Sequence, residues 1–195
     1  MPRIPAVAPQ DASLLVKVGY KIAGRRFGVV PEPFTVLAHH PKLFLASARH
    51  ELAVEKATRV VPSSLIQLAV YRTAWTVGCS WCVDFGAMLQ RLDGLDVERL
   101  REIGDFETSD AFTDAERDVL RYADAMTSTP MTVTDDQVAA LVRTYGDAGV
   151  VELTYQIALE NQRARMNHAL GIVDQGFSSG DSCRVPWAVE AIQEA

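Results

Sequence analysis

The chain has 195 residues, 48% of them hydrophobic, and carries 19 Lys and Arg against 25 Asp and Glu for a net charge of −6. That much apolar material is enough for a core, which excludes a disordered chain. The acidic balance excludes a nucleic-acid or anionic-membrane binder, since both need clustered Lys and Arg to displace counterions.

In chain order, the N-terminus "MPRIPAVAPQ" lacks the apolar run of a signal peptide, and no segment approaches the roughly 20 apolar residues of a membrane span. The expected location is therefore cytoplasmic, with no membrane partner. "DASLLVKVGYKIAGRRFG" reads as a helix with an Asp start and a Gly stop, and Leu14, Leu15, Val18 and Ile22 on its apolar face. Its "AGRRFG" end, residues 23–28, is the one basic cluster, and two arginines there complement the helix dipole. "HPKLFLASARHELAVEKA" opens with Pro41 at a helix-start position. "VPSSLIQLAVYRTAWTVG" starts after Pro62 with serine caps and stops at Gly78, and "CSWCVDFGAMLQRL" follows directly. Thr113–Glu116 and Thr134–Gln137 both have capping-box spacing. A last long helix is expected from about Asp147 to about Ile172, with Leu153, Ile157, Asn161, Ala164 and His168 as its apolar stripe. Strand patterns are scarce, and there is no clear linker or internal repeat. The expected fold is all-α, one domain over 1–195 with its core at about 30–175, and 176–195 an irregular C-terminal arm.

Two of the three cysteines form the pair Cys79-x-x-Cys82 immediately after Gly78. If Gly78 ends one helix and Cys79 opens the next, both sulfurs lie in a first turn, near free N–H groups that favour a thiolate. Side chains three apart share a helix face, so they can also close a small disulfide ring. By spacing alone the pair is a redox dithiol, core packing or half a zinc site. Zinc needs two more ligands, and only Cys183 and the four histidines remain. His39 and His40 look like a loop edge, His50 is surrounded by charges, and His168 reads as a hydrogen-bonded core histidine. No cofactor is expected.

The stretch "CSWCVDFGAML" follows "LIQLAVYRTAWTVG" and precedes "FTDAERDVLRYADAMTSTP" and "VVELTYQIALENQRARMNHALGI". Together these resemble the carboxymuconolactone decarboxylase and AhpD-like superfamily over most of residues 30–175. The resemblance implies an all-helical fold and a homo-oligomer (dimer, trimer or hexamer). In the peroxidase-like branch it implies a C-x-x-C dithiol that reduces hydroperoxides, with Cys82 attacking the peroxide and Cys79 as its partner. That branch carries a Glu twelve residues before the first Cys and a His four after the second, which relay a proton. This chain has Gln67 and Gly86 there, and neither moves a proton at neutral pH, so turnover is expected to be slow.

Other residues near the motif are candidates for supporting roles. Gln67, Tyr71 and Trp75 share a helix face leading toward Cys79, and Tyr71 offers a hydroxyl to a thiolate or peroxide oxygen, or an aromatic filling a helix interface. Trp81 shields the site or packs against a neighbouring subunit. Asp84 serves as a proton acceptor through water or, more in keeping with its position, as a helix-start or interface hydrogen-bond group, because a carboxylate beside a thiol opposes its ionisation. Cys183 resolves a mixed disulfide if the tail folds back, or is incidental. Trp75, Trp81 and Trp187 add apolar surface that favours assembly. The leading expectation is a hydroperoxide-reducing dithiol protein with a small-molecule substrate and a separate thiol reductant. The alternatives are a helical oligomer that binds a small apolar ligand or partner, with the dithiol as redox sensor or remnant, and a non-redox lactone decarboxylase-like lyase.

Overall fold

The computed structural model describes residues 2–178. Cys183, Trp187 and most of the expected 176–195 arm lie outside them. Among the described residues the fold is all-helical, without strands: α1 (Leu14–Phe27), α2 (Glu32–Leu37), α3 (Pro41–Ala57), α4 (Ser63–Val77), α5 (Ser80–Leu92), a 3-10 helix (Glu98–Asp105), α6 (Asp114–Thr127) and α7 (Asp135–Ala169). The short α2 and the 3-10 helix have no counterpart in the sequence pattern. No helix among the described residues is long and apolar enough to cross a membrane.

Helix α4 is the centre, packed against α5, α6 and α7. Its sequence is apolar on nearly every side, and Ile66, Leu68, Ala69, Tyr71 and Ala74 are all buried. A helix with no polar face has to be wrapped by others. Its start differs from expectation: Pro62 occupies the N-cap without a side-chain hydrogen bond, so Ser63 and Ser64 lie inside the first turn and do not cap it. Both threonine capping boxes are present as read, at Thr113–Glu116 and Thr134–Gln137.

The apolar face expected for α1 is corrected. Leu14, Val18 and Ile22 are 81%, 53% and 62% exposed, and Leu15 is exposed too. The buried side is Val16, Tyr20 and Ala23. On the buried side the Phe44 ring of α3 comes close over Gly19, 2.6 Å from where a Cβ would be. A side chain at 19 would require that ring to shift, and Tyr20 meets it edge-on at 6.3 Å.

Helix α7 breaks at Gly146 (φ 69°, ψ 172°), where the sequence pattern begins its last helix one residue later. Its buried face is Leu153, Ile157, Glu160, Ala164 and Asn167. The expected stripe through Asn161 and His168 drifts off this face by taking two consecutive steps of four where the helical period needs alternating fours and threes. His168 is consequently exposed and not in the core.

Glu160 is a charge-bearing group in that interior, 5% exposed. Burial pushes its carboxyl up to about 7, against the pull of the Arg163 charge and hydrogen bond and with the help of nearby Glu51. Arg163 also donates Nε to Glu51 Oε1 at 3.0 Å, so it keeps a partner without Glu160. A carboxyl raised in the folded state holds its proton where the unfolded chain has released it. Its stabilisation is full below about pH 4.5 and lost as pH rises through about 7. Glu160→Gln is expected to remove this loss, flattening the stability profile between pH 5.5 and 8 and raising stability at pH 8 by about 2–3 kcal/mol. Urea unfolding at the two pH values checks it, and parallel profiles for parent and variant would rule it out.

Candidate functional site: the Cys79–Cys82 dithiol

The site is made by the turn between α4 and α5. Gly78 ends α4 in the left-handed conformation (φ 84°, ψ 28°), its N–H bonded back to Ala74 and Trp75. A side chain would be strained there, and the reversal it permits delivers Cys79 to the N-cap of α5. Cys79 Sγ takes the place usually held by a capping oxygen and accepts from the Cys82 N–H at 3.2 Å. Cys79 and Cys82 form a disulfide with their Cα atoms 5.3 Å apart. The sequence therefore placed both sulfurs in one first turn, and the structure joins them.

Cys82 Sγ receives a hydrogen bond of its own, from Asn167 Nδ2 on α7 at 3.4 Å. Each sulfur thus faces an N–H donor, and such donors favour a thiolate once the bond is reduced. Both cysteines are buried, Cys79 at 1% exposure and Cys82 at 7%. Leu68, Tyr71, Ala74, Val83 and Ile172 belong to the same apolar cluster.

Residues 173–178 run over this cluster as an irregular strap that α5 holds directly. The Asp84 carboxylate, 3% exposed, accepts from the backbone N–H groups of Gln175 (3.1 Å), Phe177 (3.0 Å) and Ser178 (2.7 Å), and from the Ser178 hydroxyl (2.6 Å). Trp81 donates its indole N–H to Gln175 Oε1 at 2.8 Å and stacks on Phe85 at 4.7 Å. Phe177 meets both rings edge-on. Asp84 therefore makes interface hydrogen bonds to a distant segment, one of the roles expected for it, and is not a helix-start group, while Trp81 packs against Gln175, Phe85 and Phe177 of its own chain.

The remaining candidates lie farther along the hairpin. Gly86 faces Tyr71, whose Cδ2 is 3.4 Å from where a Cβ at 86 would stand. Tyr71 is 1% exposed. It fills the interface beside the position where the peroxidase branch carries its histidine. Gln67 donates its amide to Asp93, just past the end of α5. The antiparallel register set by Tyr71 and Gly86 puts Gln67 level with Gln90, about 12 Å along the helix from Cys82. Neither amide atom of the buried Gln90, nor Gln67 Oε1, has a hydrogen-bond partner. Trp75 lies under the Arg72 guanidinium at 4.4 Å. Among the described residues no three His, Cys, Asp or Glu side chains converge on a metal-sized site. Cys183 lies outside the described residues.

Asn167 and Gln175 were not singled out in the sequence. Asn167 was within reach, because it opens the "N-x-x-L-G-I" stretch and falls on the α7 face once the steps from Leu153 alternate. Gln175 carries no such signal.

No family model matches the chain. It is 30% identical over 162 residues to the uncharacterized protein YnjA of Escherichia coli (strain K12), covering 83% of this chain and 86% of YnjA. Among solved structures it is similar in fold to the debrominase Bmp8, with a TM-score of 0.76 and 19% identity over 88% of this chain and 91% of Bmp8. Bmp8 is also solved as a cysteine-to-alanine variant in complex with 2,3,4-tribromopyrrole. The alkylhydroperoxidase AhpD core of an uncharacterized peroxidase-related protein from Ralstonia eutropha JMP134 matches with a TM-score of 0.75 and 18% identity over 90% of this chain and 94% of that one. At its identity to YnjA and coverage of it, the chain belongs to the same family as YnjA, and its all-helical fold is the one seen in Bmp8 and the AhpD core.

Proposed function

We propose that this protein is a dithiol oxidoreductase that reduces hydroperoxides through a Cys79–Cys82 thiol–disulfide cycle. The observation that carries the reading is the disulfide in the first turn of α5, with an N–H donor on each sulfur. In the reduced protein the Cys82 thiolate attacks the distal peroxide oxygen. The S–O bond forms, the O–O bond breaks, and the alkoxide takes up the proton the thiol gave away, leaving an alcohol and a sulfenic acid. The Cys79 thiol condenses with the sulfenic acid to give the disulfide and water. A small thiol or a protein dithiol restores the pair by exchange. Cys82 is assigned the attack because it is the more exposed of the two.

The test is mass spectrometry of fully reduced protein after one equivalent of an organic hydroperoxide, timed against free cysteine. The Cys79–Cys82 disulfide is expected to form at least about tenfold faster than free cysteine oxidises, because the N–H donors on the two sulfurs favour the thiolate. Cys82→Ser is expected to abolish peroxide consumption. A variant that consumes peroxide at the parent rate would sink the assignment.

The likeness to Bmp8 supports a second substrate class. The same two electrons and two protons convert a carbon–bromine bond to carbon–hydrogen with release of hydrogen bromide, so a brominated pyrrole belongs in the same assay. A binding role without turnover is the other reading. It is favoured by the exposed α1 face of Leu14, Val18 and Ile22, a surface suited to assembly with further copies. Disulfide formation no faster than in free cysteine would put that reading first.

A further inference from the structure

We propose that the Asn167 carboxamide is a catalytic group of the dithiol site, holding the Cys82 thiolate with its N–H and orienting an incoming hydroperoxide with its oxygen. This rests on the hydroperoxide reading above. It gives the sulfur a hydrogen-bonding partner from α7, a contact distinct from the proton transfer of the missing Glu and His relay.

Two independent observations carry it. Asn167 Nδ2 donates to Cys82 Sγ at 3.4 Å across 85 residues of sequence. Asn167 Oδ1, on the same side chain, is buried and has no hydrogen-bond partner. Asn167 is 2% exposed, and burying an amide oxygen without a donor is unfavourable unless something donates to it. The nitrogen of the same carboxamide touches the sulfur that reacts, so this unpaired acceptor belongs to the group that contacts the nucleophile.

The chemistry of a hydroperoxide fits both ends of the carboxamide. Before attack the amide N–H stabilises the thiolate without competing for its proton, as an amide neither takes up nor releases one near neutral pH. The peroxide supplies the one donor that Oδ1 lacks, its own O–H. Accepting that hydrogen holds the distal oxygen against Cys82 Sγ and leaves the O–O bond free to break toward the alkoxide. In the sulfenic acid the same O–H is retained on the transferred oxygen, so the contact persists through the step. The substrate is thereby restricted to molecules that donate a hydrogen bond from the atom attacked. Hydrogen peroxide and alkyl hydroperoxides qualify, and a dialkyl peroxide does not.

The experiment compares wild type with Asn167→Leu and the isosteric Asn167→Asp, each checked for native helicity by circular dichroism. Two rates are read on reduced protein: disulfide formation with hydrogen peroxide and with cumene hydroperoxide, and alkylation of Cys82 by iodoacetamide against pH. Asn167→Leu is expected to slow disulfide formation by about tenfold or more, the effect of losing a hydrogen bond to a charged group. Its alkylation midpoint is expected to rise by about one pH unit, and that of Asn167→Asp further, since a carboxylate beside the sulfur opposes its ionisation. Unchanged rates and midpoints in both variants would overturn the inference. Should Asn167→Leu fail to fold, Asn167→Asp decides by the same two readouts. If wild type itself oxidises no faster than free cysteine, the hydroperoxide reading falls, and an unmoved alkylation midpoint in the variants then removes the thiolate contact as well.

Discussion

An Asp84→Ala protein is expected to release the 173–178 strap from α5 while the rest of the helices stay folded. The Asp84 carboxylate binds the backbone of that segment, through three N–H groups and one hydroxyl, while the Gln175 side chain is held separately by the Trp81 and Glu32 N–H groups. Hydrogen bonds to a charged group contribute about 1.5–3 kcal/mol each. The strap has no helix of its own, so its freed amides turn to solvent and the loss stays local. Hydrogen exchange at Gln175, Phe177 and Ser178 is therefore expected to accelerate by about 100-fold or more. The same release uncovers the dithiol, because Phe177 packs against its apolar cluster. Reduction of the Cys79–Cys82 disulfide by dithiothreitol should quicken by about tenfold, access being one determinant of exchange rate. Asp84→Asn, which keeps acceptor oxygen but turns an amide N–H toward other donors, should fall between. Strap amides as protected in Asp84→Ala as in the parent would show that Asp84 is not the fastening.

Arg72→Met should lower global stability by about 3 kcal/mol and the melting temperature by about 6–12 °C for a chain of this size. Arg72 is 8% exposed and ties three elements together. Its Nε and one terminal nitrogen form a bidentate pair with Asp124 on α6 at 2.7 and 2.8 Å, and the other terminal nitrogen donates to the Ile103 carbonyl of the 3-10 helix at 2.7 Å. The guanidinium also lies over Trp75 at 4.4 Å and Phe106 at 4.9 Å. Methionine keeps the stem but leaves the carbonyl unpaired and Asp124 with only the Thr76 hydroxyl, which donates to its Oδ1 at 3.0 Å. Partial exposure of Asp124 moderates the effect, since water takes over some of the lost pairing. Arg72→Lys should recover little, because an ammonium cannot present a planar fork to the carboxylate and a second donor to the carbonyl together. Thermal melts decide the matter, and a fall of less than about 2 °C would mean that the pair contributes no more than an exposed ion pair.

The parts of the site legible in the sequence are those made by neighbours in the chain. Gly78 at the end of an apolar helix, followed at once by Cys79-x-x-Cys82, specifies a left-handed stop, an N-cap and two sulfurs in one turn. Every contact involved spans only a few residues. The threonine capping boxes at Thr113 and Thr134 were legible for the same reason. Gln67 and Gly86 were legible as departures from the resembled pattern. That their places are taken up by Asp93 and by the Tyr71 ring depends on the pairing of two helices and was not.

By itself, then, the sequence determined that the described residues fold as helices and that a dithiol opens α5, since capping and helical period are settled within a few turns of the chain. Tertiary structure alone decided which face each helix buries and what surrounds the sulfurs. Leu14, Val18 and Ile22 form as apolar a stripe as Val16, Tyr20 and Ala23, and the packing of α1 against α3, with Val16, Tyr20 and Phe44 in one cluster, buries the second. Asn167 reaches Cys82 across 85 residues, and the strap reaches Asp84 across as many as 94. Such contacts depend on the packing of α7 against α4 and α5, and no short-range pattern encodes that docking.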